Sequence, residues 1–174
     1  MSKATLRKAL KDFDAQQMQT LLLDVYSKSK EAKEILDFFA EPDIEKKTEE
    51  YRTVLTKEAT RYTRRAFRPR MPRLRASLKR FRTLEPGDDA VAELMVHTSL
   101  TLISLGADSW LREQLYDNIA KFFAETMAFI AERDMADEFM PRIRKARESL
   151  NSPGFMRRNP LAEIIDSEIA KYTK

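Results

Sequence analysis

The sequence predicts an all-α protein: a single domain over residues 1–174, with about eight helices in an antiparallel bundle or a short helical-hairpin array. Only three glycines occur among 174 residues, and each lies where a helix should end or a turn begin. No segment alternates apolar and polar residues as a strand does, and no Asn-Gly or Asp-Gly hairpin turn occurs. Apolar residues instead recur every three or four positions, which is the period of a helix.

The first three helices are predicted from caps and spacing. Ser2 is placed to cap a short helix, and Asp14 with Gln17 three residues later has the form of a capping box. A third helix around Ile35 should stop before Pro42, because proline restricts the residue before it and cannot continue the hydrogen-bond ladder.

A long fourth helix is predicted to extend as far as Ala66. Its inward positions step by three or four residues and form one stripe. They are Ile44, Thr48, Tyr51, Leu55, Ala59, Tyr62 and Ala66. Pro69 and Pro72 then bracket a bend, and the apolar residues Leu74, Leu78 and Phe81 begin a fifth helix.

The middle of the chain has the strongest core signal. A helix capped by Asp88 or Asp89 is apolar over most of its circumference as far as Leu105, so other helices should surround it. A short link leads to another helix, capped by Asp108 or Ser109, and so brief a link predicts two antiparallel neighbours.

Two further helices complete the prediction. Asp137 should start the first of them, which places Pro141 in the first turn, where amide donors lack intrahelical partners. Residues 151–159 are expected to form a loop. Pro160 then opens the last helix, whose inward stripe extends from Leu161 to Tyr172.

Composition excludes several kinds of site. Without cysteine there is no thiol nucleophile, disulfide framework or thiolate zinc site, and a single histidine excludes a His-His-carboxylate metal site within one chain. Neither a phosphate-loop nor a nucleophile-turn glycine motif occurs. We therefore expect no catalytic residue, metal or cofactor. The high charge content and the lack of an N-terminal apolar stretch predict a cytoplasmic protein without membrane contact.

His97 nevertheless suggests a catalytic hypothesis. Glu93 and His97 lie four residues apart on one predicted helix, with Asp89 one turn earlier, so Glu93 and His97 could share a hydrogen bond or a metal ion. A polar stripe of this kind is also what a central helix needs where it meets a polar neighbour. We prefer that structural explanation and keep the enzyme hypothesis for testing.

The distribution of charge is the most informative feature. From Lys57 to Arg82, which we name the basic segment, eleven basic residues accompany one acid, a net charge of +10. The remaining residues carry a net charge of -6. Arginine outnumbers lysine nine to two in the basic segment, and planar guanidinium groups bind phosphate or carboxylate through paired hydrogen bonds.

On the predicted helices, the basic side chains lie opposite the apolar stripes and form a basic elbow at the bend. Phe67 is the one aromatic side chain placed to stack on a ligand there, because Tyr62 and Phe81 lie on the inward stripes. The predicted binding residues, for an acidic partner or for phosphate, are Arg61, Arg64, Arg65, Arg68, Arg70, Arg73 and Arg75.

Three interpretations of the basic segment stay open. Acids elsewhere in the fold could neutralise it, an acidic protein surface could bind it, or nucleic acid could bind it. No zinc-finger spacing, RNA-recognition-motif signature or basic-zipper heptad supports nucleic acid. The sequence therefore predicts a non-enzymatic protein-interaction module, with nucleic-acid binding as the alternative, and leaves its oligomeric state open.

Several segments resemble those of an uncharacterised bacterial family of small all-helical proteins, a domain of unknown function. They are the pair Leu6 and Leu10, the runs Lys30–Phe39 and Arg75–Phe81, and the charge-free helix in the middle of the chain. The likeness extends from Ser2 to about Ile165. It implies a compact helical protein of bacterial origin, and it implies no activity, cofactor or catalytic residue.

Overall fold

Helices make up most of the computed structural model, which describes residues 2–63, 66–107, 111–150 and 160–172. These residues form nine helices and one two-stranded hairpin, which confirms the all-α prediction. The elements are α1 (Lys3–Leu10), α2 (Ala15–Lys28), α3 (Lys30–Ala40), α4 (Ile44–Ala59), β1 (Tyr62–Thr63), β2 (Ala66–Phe67), α5 (Met71–Arg82), α6 (Asp88–Ala107), α7 (Glu113–Ala131), α8 (Ala136–Ser149) and α9 (Pro160–Tyr172).

The chain divides into two compact units, residues 1–43 and residues 44–174. The smaller unit holds α1 to α3, and none of its described residues is buried. Both predicted caps are confirmed, since the Ser2 side chain accepts from the Thr5 amide and Asp14 forms a capping box with Gln17. Helix α3 ends at Ala40, before the proline, as predicted. A single domain over the whole chain stays a prediction.

The core of the larger unit surrounds α6. Helices α4, α5, α7, α8 and α9 all contact α6, which confirms that other helices enclose it. The largest fully buried side chains include Phe81 from α5 and the adjacent pair Phe122 and Phe123 from α7. Burying each such ring is worth about 1.5–3 kcal/mol, so this core is the main source of stability in the larger unit.

Helix α6 also has the length and composition of a membrane span within the part of the chain described, with a mean hydropathy of 1.4. The central helix of a core meets the same criteria, and more than half of its apolar stretch is buried in the fold. Within the larger unit, α6 contacts five other helices.

The glycine near the end of α6 permits close packing. A Cβ atom added to Gly106 would lie 3.0 Å from a methyl carbon of Leu161 in α9 and 3.2 Å from one of Leu111. Gly87, in the turn before α6, has a φ of +98°, a conformation that side chains rarely adopt. Gly87 therefore favours glycine through its backbone conformation, whereas a larger residue at Gly106 would require the Leu161 and Leu111 side chains to shift.

The fourth helix is shorter than predicted, and the basic segment is not a bent pair of helices. Helix α4 ends at Ala59, and strands β1 and β2 follow it as an antiparallel hairpin with Tyr62 opposite Phe67. This hairpin forms without an Asn-Gly or Asp-Gly turn, so the expectation of no hairpin was wrong.

Burial of one aromatic ring explains the hairpin. Phe67 is 4% exposed, whereas Tyr62 is 54% exposed and packs on it with ring centroids 5.3 Å apart. A helix continuing to Ala66 would bury Tyr62 on the inward stripe and turn Phe67 away from it. In the extended chain Tyr62 is exposed and Phe67 is buried. The predictions that Tyr62 faces inward and that Phe67 is an exposed stacking group were therefore both wrong.

Two helix starts also differ from the prediction. Helix α7 begins at Glu113 with Arg112 at the N-cap, while the predicted caps Asp108 and Ser109 lie outside the described residues. Helix α8 begins at Ala136, so Pro141 lies in its second turn instead of its first.

The chain reversal before α8 explains its early start. Asp134 has a φ of +57°, and the Met135 amide donates to the carbonyl of Ile130 at 2.9 Å, which is the closing bond of a Schellman motif after α7. The chain can therefore begin a new helix directly after Met135. The loop predicted over residues 151–159 lies outside the described part, and α9 begins at Pro160 as predicted.

Candidate anion-binding groove

The larger unit has a groove of about 860 Å³ beside the hairpin. The hairpin and the start of α5 line one side, and the segment at the start of α7 lines the other. Three arginines border it: Arg61, Arg68 and Arg112. Pro72 and Leu115 provide apolar surface, Phe67 and Met71 are buried beside it, and no Asp or Glu occurs among the lining residues described. We name this site the arginine groove.

The hairpin register places two of these arginines opposite each other. Because Tyr62 pairs with Phe67, the next pair outward is Arg61 and Arg68, and the Arg68 amide donates to the Arg61 carbonyl at 2.9 Å. Side chains alternate between the two faces of a strand, so Arg61 shares a face with Thr63, which also lines the groove. Like charges at opposite positions repel, and this arrangement therefore favours an anion.

Two helices begin at the groove without a side-chain cap. Neither the Arg70 N-cap of α5 nor the Arg112 N-cap of α7 contributes a side-chain hydrogen bond to its first turn. Amides without a partner at a helix N-terminus carry a partial positive charge, and at α7 this charge adds to that of the guanidinium groups. Helix α5 contributes less, because Pro72 has no amide and the Arg73 amide donates to the Arg70 carbonyl. Glu113, the one acid in the first turn of α7, is exposed and does not line the groove.

Acids from other helices hold three of the predicted binding arginines. Arg70 and Arg73 each lie 3.5 Å from a carboxylate oxygen of Glu58, and Arg75 lies 2.5 Å from Glu125 of α7. For these three arginines, the first of the three interpretations applies, since acids within the fold pair with them.

The structure brings together only part of the predicted set. Arg61 and Arg68 line the arginine groove, while Arg64 and Arg65 lie outside the described residues. Arg112 joins Arg61 and Arg68 from a position thirty residues beyond the basic segment, and sequence reasoning missed it. One local signal could have pointed to Arg112. It stands at the N-cap of α7, a position where a hydroxyl or carboxylate side chain is common and an arginine is unusual.

A family model described as Family of unknown function (DUF6155) matches residues 1–167. The chain belongs to this family. The match confirms the resemblance to a helical domain of unknown function, and it covers every lining residue of the arginine groove. No curated protein and no solved structure matches the chain.

A second polar cluster in this DUF6155 protein joins α4, α6 and α8. One oxygen of Glu93 lies 2.9 Å from Arg52, and the other lies 2.5 Å from Arg142. Burial opposes ionisation of Glu93, but the hydrogen bonds and charges of Arg142 and Arg52 outweigh it and hold its pKa below the ordinary value. Glu93 is thus an ionised link between three helices.

His97 has its own partner in this cluster. Its Nε2 lies 2.9 Å from the hydroxyl of Thr56, and burial together with the nearby charge of Arg52 lowers the pKa of His97. Both carboxylate oxygens of Glu93 are engaged by arginines, which leaves Thr56 as the hydrogen-bond partner of the ring. Over the described ranges, no group of three or more His, Asp or Glu side chains is arranged to hold a metal ion.

Proposed function

We propose that this DUF6155 protein is a non-enzymatic, cytoplasmic interaction module that binds an acidic segment of a partner protein in the arginine groove. One observation carries the proposal: two guanidinium groups from the hairpin and one from the start of α7 line one groove that has no carboxylate among its described lining residues. A charge-assisted hydrogen bond to a carboxylate contributes about 1.5–3 kcal/mol, so a few of them support specific binding.

The surroundings of the groove support a short, local ligand. Pro72 and Leu115 form an apolar surface beside the arginines, which suits the hydrocarbon part of a peptide side chain. Glu58 and Glu125 engage the arginines further along α5. These three arginines are therefore less available to a ligand than the arginines of the groove.

Nucleic acid is the competing partner, and the net charge of +10 on the basic segment favours it. A duplex presents a row of phosphates and gains affinity from each one that is neutralised. The pairing of Arg70, Arg73 and Arg75 with acids removes much of the row of cations that such a backbone would follow, so we rank the acidic protein segment first.

Binding of a defined peptide tests the proposal. Fluorescence anisotropy would measure the dissociation constant of a fluorescein-labelled peptide of mixed Glu and Leu, beside a matched peptide with Gln in place of each Glu. We expect binding of the Glu peptide alone. Arg61→Gln, Arg68→Gln and Arg112→Gln should each weaken it on the order of tenfold, the equivalent of one charged hydrogen bond.

Two exposed lysines provide matched controls. Lys57→Gln and Lys79→Gln remove the same charge from exposed positions that do not line the groove, so binding should change by less than about twofold through screened, distant electrostatics. Equal losses in the lysine and arginine variants, or no binding at low salt, would count against the groove. A duplex that binds more tightly than the peptide, with a log-log salt slope of about -0.9 per phosphate, would favour nucleic acid.

A further inference from the structure

The number of guanidinium groups at the arginine groove exceeds what one carboxylate can use. A carboxylate has a single charge and two acceptor oxygens, which one guanidinium group satisfies through its planar fork. A phosphomonoester has nearly two negative charges at neutral pH and three strong acceptor oxygens. Arg61, Arg68 and Arg112 therefore match a phosphate group better than a carboxylate.

The cross-strand pair of arginines is held in place before any ligand arrives. The bond from the Arg68 amide to the Arg61 carbonyl fixes the two backbones side by side, and the buried ring of Phe67 anchors the hairpin. Among the residues described, neither Arg61 nor Arg68 forms an ion pair. Opposed cations of this kind repel, and a dianion between them replaces repulsion with two attractions.

The arrangement suits an isolated phosphate instead of a phosphate chain. Glu58 engages Arg70 and Arg73, and Glu125 engages Arg75, so the three arginines next along the chain already have carboxylate partners. Pro72, which is exposed, and Leu115, which is half-buried, also line the groove and offer a place for a hydrophobic side chain next to the phosphate. These features describe a peptide with one phosphorylated residue and an apolar neighbour.

We infer that the arginine groove recognises a phosphorylated segment of a partner protein, with Arg61, Arg68 and Arg112 around the phosphate. This inference rests on the proposed function and specifies its ligand. Phosphorylation of the partner then acts as the switch for binding, because it adds charge and acceptor oxygens at the one position that faces the three guanidinium groups.

Three peptides of one sequence test the inference. Each carries a fluorescein label and Leu on both sides of a central residue, which is phosphoserine, Glu or Ser. We expect the phosphoserine peptide to bind on the order of tenfold more tightly than the Glu peptide, and the Ser peptide to bind most weakly. Binding of the phosphoserine peptide should also weaken from pH 7.5 to pH 5.5, since the second pKa of the phosphate is about 6.

Variants test whether the preference arises at the groove. Arg61→Gln and Arg112→Gln should abolish the preference for phosphoserine, while Lys79→Gln keeps it. Arg68→Lys, which retains the charge and loses the planar fork, should keep only part of it. Thermal unfolding followed by circular dichroism establishes that each variant is folded.

The outcomes separate the two proposals. If the Glu peptide binds as tightly as the phosphoserine peptide, the phosphate inference is overturned and the proposed function stands. If none of the three peptides binds, both are overturned. If a single-stranded oligonucleotide displaces the phosphoserine peptide at equal concentration, the groove serves nucleic acid and the inference is again overturned.

Discussion

Among single residues, His97 is the side chain whose charge changes closest to neutral pH. Its pKa in the folded chain lies below the ordinary value of about 6.5, because burial and the charge of Arg52 disfavour the protonated ring. Arg142 disfavours protonation as well, whereas Glu93 and Glu49 favour it. The folded state therefore binds fewer protons than the unfolded state as the pH falls below about 6.5.

This difference predicts a pH dependence of stability. The contribution of His97 to the free energy of unfolding is complete above about pH 6.5 and is lost as the pH falls through its lowered pKa in the folded chain. The free energy of unfolding should therefore decrease from pH 7.5 to pH 5.5. Urea unfolding at several pH values measures this slope. His97→Gln should reduce the slope, and an unchanged slope in that variant would assign the effect to other groups.

Glu58 limits how much of the basic segment is available. Glu58→Gln removes the shared partner of Arg70 and Arg73, and Arg70 lies between Pro69 and Met71, which line the groove. We expect the acidic peptide to bind about two- to fivefold more tightly at low salt, with the gain reduced at high salt by screening. Anisotropy titrations at two salt concentrations measure this gain.

The stability cost of Glu58→Gln should stay below about 1 kcal/mol, because both ion pairs are long and partly exposed. Glu45→Gln is the matched control, since Glu45 is an exposed acid in the first turn of α4. The same gain in the Glu45 variant would mean that net charge, and not the release of Arg70 and Arg73, controls binding.

At the scale of elements, the hairpin depends on one anchor. Phe67→Ala removes a ring that is 4% exposed, and the loss of such a side chain costs about 3–5 kcal/mol in a core. We expect a loss of this order in urea unfolding, together with weaker peptide binding, because the hairpin holds Arg61 opposite Arg68. Tyr62→Ala alters the exposed partner ring and should cost less than about 1 kcal/mol.

A similar loss in both variants would mean that the two rings stabilise the hairpin equally. Full stability in Phe67→Ala would mean that the backbone hydrogen bonds of the hairpin hold it together without the ring.

The sequence did not reveal this hairpin, because Tyr62 and Ala66 continue the helical spacing of α4. Burial of the neighbouring Phe67, a tertiary contact, decided against the local pattern.

Another element-scale prediction concerns the proline inside α8. Pro141 lies in the second turn, where it lacks the amide that would donate to the carbonyl of Asp137. Because Pro141 is exposed, Pro141→Ala should restore this bond without disturbing the core and stabilise the protein by about 1 kcal/mol. Thermal unfolding measures the gain, and a lower midpoint would mean that proline's restriction of the unfolded chain outweighs the missing bond.

At the scale of the whole molecule, the two compact units differ in how much they bury. Every described core residue belongs to residues 44–174, and none belongs to residues 1–43. We predict that a fragment of residues 44–174 unfolds cooperatively and binds the acidic peptide, because it contains both the core and the groove. A fragment of residues 1–43 should show little helix by circular dichroism, since short helices without burial are marginal in water.

A well-formed helical spectrum for the short fragment would contradict this prediction, and so would a non-cooperative transition in the long one. The division into units has no clear signal in the sequence. Helices α1 to α3 have clear caps and a regular spacing of apolar residues. These signals predict that a helix forms, but they do not predict how much surface it buries.

The sequence by itself determined the properties that depend on neighbouring residues. The Asp14 capping box and the proline after α3 specify where those helices begin and end, and the period of the apolar residues predicts most of the helical segments, because each signal acts within one or two turns. Composition likewise excluded thiol chemistry and located the excess of positive charge.

Only the tertiary structure decided which of those charges line the groove and which are paired with acids. Glu58 and Glu125 engage three arginines, while the hairpin and α7 bring Arg61 and Arg68 together with the distant Arg112. The physical reason is that pairing and burial are set by contacts between residues far apart in the chain. Charge is a property of each residue, but its availability depends on the folded neighbours.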